Sequence, residues 1–113
     1  MIKLVSWFKR KQGMTPAEFH TYWRGRHGPL VMSTRSGRHA LRYEQNHRVL
    51  STYRGDDDRD GYDGVTEQWF ESVEDFYASL QEDDYHLIEE DVAKFIDPAS
   101  IQFVLTDEPE IVA

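Results

Sequence analysis

Residues 13–30, GMTPAEFHTYWRGRHGPL, constrain the fold of this chain most, because they join a complete helix start to an aromatic face that needs covering. Thr15 suits the N-cap, Pro16 suits the first helical position, and Glu18 completes a capping box three residues after Thr15. From there Phe19, Tyr22, Trp23 and His27 recur at steps of three and four, so three rings and an imidazole share one helical face. The His27-Gly28-Pro29 triplet predicts a break or kink, since glycine is a poor helix former and proline disfavours the α conformation in the residue before it. An imidazole at such a break is placed to do chemistry.

Around this helix the pattern alternates between strands and helices. Ile2 to Phe8 reads as a strand with apolar groups on both sides, Arg38 to Leu50 as a second and Gly64 to Phe70 as a third. Ser72 caps a further helix with Val73, Phe76, Tyr77 and Leu80 as its buried stripe. Glu82 to Asp84 favour the start of another, whose stripe is Tyr85, Ile88, Val92 and Phe95 and which Asp97-Pro98 stops. Ile101 to Thr106 supplies a last strand. This order predicts a single α+β domain over residues 1–113 of the ferredoxin-like plan, a four-stranded antiparallel sheet with its helices on one face. Two regions are expected to be loose, the acidic Gly-containing loop 51–63 and the tail 107–113. Because most strands are apolar on both sides, the sheet's bare face would leave a large sticky patch on a monomer. A homodimer through the open sheet faces, enclosing a cavity, is the predicted remedy.

Composition narrows the function classes. A net charge of −8, from 21 acidic against 13 basic side chains, repels phosphate backbones and argues against nucleic acid as a partner. The absence of cysteine removes disulfides and thiolate chemistry, and no apolar run approaches the roughly 18 residues that span a bilayer, so the expectation is a cytoplasmic protein with no membrane partner. The five histidines at 20, 27, 39, 47 and 86 include no pair at the i, i+4 spacing of a helical zinc motif, so no metal is expected.

The sequence resembles the EthD family of small dimeric α+β barrel proteins. The resemblance rests on Gly-Met-Thr at 13–15, Phe19, Tyr22-Trp23, His27-Gly28-Pro29-Leu30, Arg42-Tyr43, Gln45-Asn46-His47, residues 64–70 with Trp69, and Phe95-Ile96-Asp97. It implies the dimeric barrel fold. For activity it implies a range, from accessory proteins of ether-degradation clusters to dehydratases or decarboxylases of aromatic polyketides, with cyclases, isomerases and cofactor-free monooxygenases in the wider barrel group.

His27 is the first candidate for catalysis, since a neutral imidazole both takes and gives a proton near neutral pH, as lyase, isomerase and cyclase chemistry on a carbonyl or phenol requires. Tyr22, on the same helical face, could donate to an oxyanion, and the resemblance implies that Tyr85 sits near the cavity mouth. Asn46 and His47 adjoin on a strand, so only one can face the cavity; Tyr43 shares the face of His47. Trp69 suits stacking on a flat ring, and His86 a place on the rim. Together these point to a cofactor-independent lyase or isomerase acting on a hydrophobic, aromatic or polyketide-like compound. The alternatives are a non-catalytic small-molecule-binding accessory protein and a cofactor-free monooxygenase.

Overall fold

The predicted strands assemble into one antiparallel sheet in the computed structural model, which describes residues 1–113. The strands are β1 (Ile2–Phe8), β2 (Arg42–His47), β3 (Gly64–Phe70) and β4 (Gln102–Thr106), in the order β2-β3-β1-β4. The helices are α1 (Pro16–Tyr22), α2 (Gly28–Ser33), α3 (Val73–Leu80) and α4 (Tyr85–Val92). This is the ferredoxin-like arrangement, with the two longest strands at the centre. No helix is long and apolar enough to cross a membrane.

Thr15 and Glu18 start α1 as the sequence predicts: the Thr15 hydroxyl accepts from the Glu18 amide, and the Glu18 carboxylate accepts from the Thr15 amide. At its other end the structure differs from the expected break. The chain stays helical through a π turn at Trp23–His27 and continues into α2, with His27 and Gly28 both in right-handed helical conformation. Pro29 has no amide to donate and its ring would strike the carbonyl four residues back, so a wider turn carries the helix past it. Gly28 has a further reason to lack a side chain: a Cβ there would lie 2.8 Å from Gln45 Nε2, which donates to the Trp23 carbonyl at 2.9 Å.

The rings of this helix meet the sheet in a core of Phe8, Phe19, Trp23, Phe95 and Ile96, all at most 4% exposed. Trp23 stands edge-on to Phe8 at 5.2 Å. A Cβ on Gly64 would come within 2.5 Å of the Trp23 ring, so β3 approaches the helix as closely as backbone allows. A second cluster, Ala40, Phe70 and Phe76, joins α3 to the far end of the sheet.

The acidic loop is joined to the body of the domain by hydrogen bonds. Asp63 is buried and accepts from the Arg10 amide at 2.7 Å, from Arg10 Nη1 at 2.9 Å and from the Tyr53 hydroxyl at 2.6 Å. Asp58 accepts from the amides of Arg54 and Asp60, which hold its carboxyl well below the usual carboxylate range. The tail from Asp107 carries no regular structure and is exposed.

The opposite face of the sheet carries no helix. Lys3, Val5 and Trp7 of β1 lie beside Val65, Glu67 and Trp69 of β3, with Val104 on β4. Lys3 pairs with Glu67 at 3.0 Å, and Lys3 and Arg42 both lie over the Trp69 ring.

Candidate functional site

A cavity of about 220 Å³ lies inside the protomer, between the helix-covered face of the sheet and the helices, and 13 of its 20 lining residues are hydrophobic. Polar atoms reach its wall from His27 on the π turn, Tyr43 on β2, Thr66 and Gln68 on β3 and Tyr85 at the start of α4, with Ser6, Ser36 and Ser79 beside them.

His27 is 6% exposed, and its Nδ1 lies 2.8 Å from Asp91 Oδ2 on α4. A carboxylate can only accept, so Nδ1 carries the hydrogen and Nε2 is left with its lone pair for a ligand. The other Asp91 oxygen accepts the Tyr22 hydroxyl at 2.6 Å. Burial lowers the pKa of His27, with the Asp91 carboxylate opposing, so the ring is neutral near pH 7. Burial also acts to raise the pKa of Asp91, but the bonds from Tyr22 and His27 outweigh it and keep the carboxyl ionised. The result is a base oriented by a carboxylate that is itself held in place, a pairing suited to moving protons.

Tyr22 thus connects to His27 through Asp91, and its hydroxyl hydrogen is directed at that carboxylate rather than into the cavity. Tyr43 and Tyr85 line the cavity with His27. The remaining candidates lie elsewhere. Asn46 and Trp69 project from the bare face of the sheet, where the Asn46 amide donates to the Val65 carbonyl and to Glu67. Strand alternation decides this, because the helices cover the Tyr43, Gln45 and His47 side of β2. His47 is on the covered side, packed against the tilted Trp23 ring at 4.3 Å, and Trp23 rather than His47 lines the cavity. His86 is exposed on α4, bonded to the Asp83 carbonyl.

Two groups escaped the sequence reading. Asp91 falls at the helical step between Ile88 and Phe95, a carboxylate on an otherwise apolar stripe, and that position was the available signal. The other is a buried polar chain. From Asp63 it runs through Tyr53 to His20 Nε2 at 3.1 Å, from His20 Nδ1 to His47 Nδ1 at 2.7 Å, and from His47 Nε2 to Gln45 Oε1 at 2.9 Å. Gln45 Nε2 then donates to the Tyr43 oxygen at 2.9 Å.

Burial lowers the pKa of His20 and His47, the latter from 6.5 to about 4 with help from the Arg24 charge. With His27 lowered as well, the unfolded chain binds more protons than the folded one once the pH drops below about 6.5, so stability falls from there toward pH 4. His39, raised by its bonds to Asp75 and Glu82, acts in the opposite sense but is one group against three. The thermal midpoint should fall steadily between pH 7 and 4.5 in a calorimetric or circular-dichroism scan. A midpoint that is level or rises over that range would contradict these assignments.

Fold and site together define a small ferredoxin-like α+β protein whose carboxylate-held histidine faces an apolar cavity. A family model described as the EthD domain matches residues 11–99, and the chain belongs to the EthD family. An ethyl tert-butyl ether D (EthD) family protein from Bacillus halodurans is similar in structure, with a TM-score of 0.69 at 16% identity over 96% of this chain and 99% of that chain. So is a dimeric protein of ferredoxin-like fold from Bacteroides fragilis, at 0.66 and 9% identity over 95% of each chain. SnoaB from Streptomyces nogalater, a cofactor-independent oxygenase, aligns at 0.62 and 12% identity over 98% of this chain and 95% of that chain. At these identities the likeness is one of fold. No curated protein sequence matches the chain.

Proposed function

We propose that this protein is a cofactor-independent lyase or isomerase acting on a small aromatic or polyketide-like carbonyl compound, with His27 as general base and then general acid. The observation that carries the reading is the Asp91–His27 pair, which directs Nε2 at an apolar cavity also lined by Tyr43 and Tyr85. Nε2 takes a proton from carbon next to a carbonyl, and the C–H electron pair becomes the enolate. The imidazolium then returns its proton, either to another carbon, which is isomerisation, or to a β-hydroxyl that leaves as water, which is dehydration. The cavity's volume is below the roughly 300–1,000 Å³ usual for drug-sized ligands, which favours compounds of one or two rings.

The test uses a probe ketone. In deuterium oxide the protein should accelerate exchange of the methyl protons of ortho-hydroxyacetophenone, followed by proton magnetic resonance, and His27→Ala should not. Binding of such ketones with no acceleration of exchange would return the protein to the accessory class. A cofactor-free oxygenase is the second reading, favoured by the likeness to SnoaB. It would begin with the same proton removal, and only the oxygenase would stop when turnover of a true substrate is assayed without oxygen.

The protein would act as a homodimer through the bare sheet face. Val5, Trp7, Val65 and Val104 there form an apolar patch that water alone covers in a single chain. Val5 sits at its centre, opposite Glu67 and Val104. Val5→Asp should therefore shift the light-scattering mass from two chains to one. A single-chain mass for the unaltered protein would rule this interface out.

A further inference from the structure

We infer that Tyr43 and Gln68 form an oxygen-anchoring subsite on the sheet floor of the cavity, shaped for the carbonyl oxygen of a hydroxyaryl ketone. The inference rests on the proposed function and names the part of the substrate that the sheet holds while His27 works on the adjacent carbon. Tyr43 and Gln68 are direct cross-strand partners on the covered face, and both line the cavity. Directly opposed residues have Cβ atoms about 4.5–5.5 Å apart, so their polar ends can reach one ligand atom.

The two glutamines of this face differ in what they bond. Gln45 has both amide hydrogens engaged, on the Trp23 carbonyl and the Tyr43 oxygen, and its own oxygen faces His47 Nε2. Because the Trp23 carbonyl can only accept, this amide has one orientation. The Tyr43 oxygen is therefore an acceptor from Gln45, and its hydrogen has no protein acceptor and is free to point into the cavity. Burial, against the bonds from the Gln45 and Trp23 side chains, raises the Tyr43 pKa and keeps that hydrogen on.

Gln68 is different. Its amide lies on the cavity wall, between Leu4 and Tyr43 across the strands, and bonds no protein group. Gln68 is partly buried and its amide is open to the cavity, so both its donor and its acceptor are available to a ligand there. The Thr66 hydroxyl, next but one along β3, lines the same wall. A glutamine amide offers a donor and an acceptor side by side, which matches a ketone oxygen flanked by a hydroxyl. With Tyr43 donating to the same ketone oxygen, the negative charge that grows there on enolate formation would meet two donors.

The site gives contrasting expectations for two probes of similar shape, ortho-hydroxyacetophenone and ethylbenzene, measured by titration calorimetry. The unaltered protein should bind the ketone more tightly. Gln68→Leu and Tyr43→Phe should each weaken ketone binding about tenfold and leave ethylbenzene within twofold, the latter showing that the cavity is intact. Equal affinity of the unaltered protein for both probes, or equal losses for both in the Gln68→Leu variant, would overturn the anchor. Selective binding with no deuterium exchange would support the anchor and sink the proton transfer, so the two claims fail separately.

Discussion

In a His27→Ala protein, deuterium exchange into ortho-hydroxyacetophenone should fall by about two to four orders of magnitude, the usual worth of a positioned general acid or base. The size follows from the surroundings of the ring. Nε2 is the one base on the cavity wall, since Tyr43 and Tyr85 have raised pKa values, burial being the main cause for each, and stay protonated. His27 is buried against Phe95 and Asp91, so folding of the variant must be checked directly. Near-ultraviolet dichroism matching the unaltered protein would establish that. Asp91→Asn supplies a readout that mere structural damage would not produce. The carboxylate raises the His27 pKa against burial, so its loss should move the acid limb of the exchange profile to lower pH as the rate drops. Undiminished exchange in His27→Ala would end the assignment.

Asp63→Ala should cost about 3–5 kcal/mol of folding stability, the loss seen when one partner of a buried ion pair is removed. Arg10 is 1% exposed, and its guanidinium would keep the Met14 and Asp56 carbonyls but lose its only counter-charge. The Arg10 amide and the Tyr53 hydroxyl lose their acceptor in the same step. Typical domains hold only 5–15 kcal/mol in total, so the urea midpoint should drop by a large fraction of its value. A loss below about 1 kcal/mol, the range of exposed pairs, would mean that water reaches the site. Tyr53 leads through His20 and His47 to Gln45, so the same change should also loosen Tyr43.

Much of the fold was legible because local rules and global packing agree. The bounds of β1 and β3, the caps at Thr15 and Ser72, and the aromatic face of Phe19, Tyr22, Trp23 and His27 all follow from periodicity and capping chemistry. The predicted break at His27-Gly28-Pro29 did not allow for a π turn, whose Trp23 carbonyl accepts from Gln45 on a distant strand. The anchoring of Asp63 was not legible because its partner Arg10 lies 53 residues away.

The site divides the same way. Sequence alone determined that this is a strand-and-helix α+β chain with two-sided strands and a histidine on a buried aromatic face, since each of these is written in spacings of two, three or four residues. Tertiary structure alone decided which side of β2 the helices cover, and so placed Tyr43 in the cavity and left Asn46 and Trp69 on the bare face. It also brought Asp91 to His27 across 64 residues and Gln68 beside Tyr43. Alternation along a strand defines two faces without saying which is inside, and a hydrogen bond between distant residues leaves no periodicity in the chain.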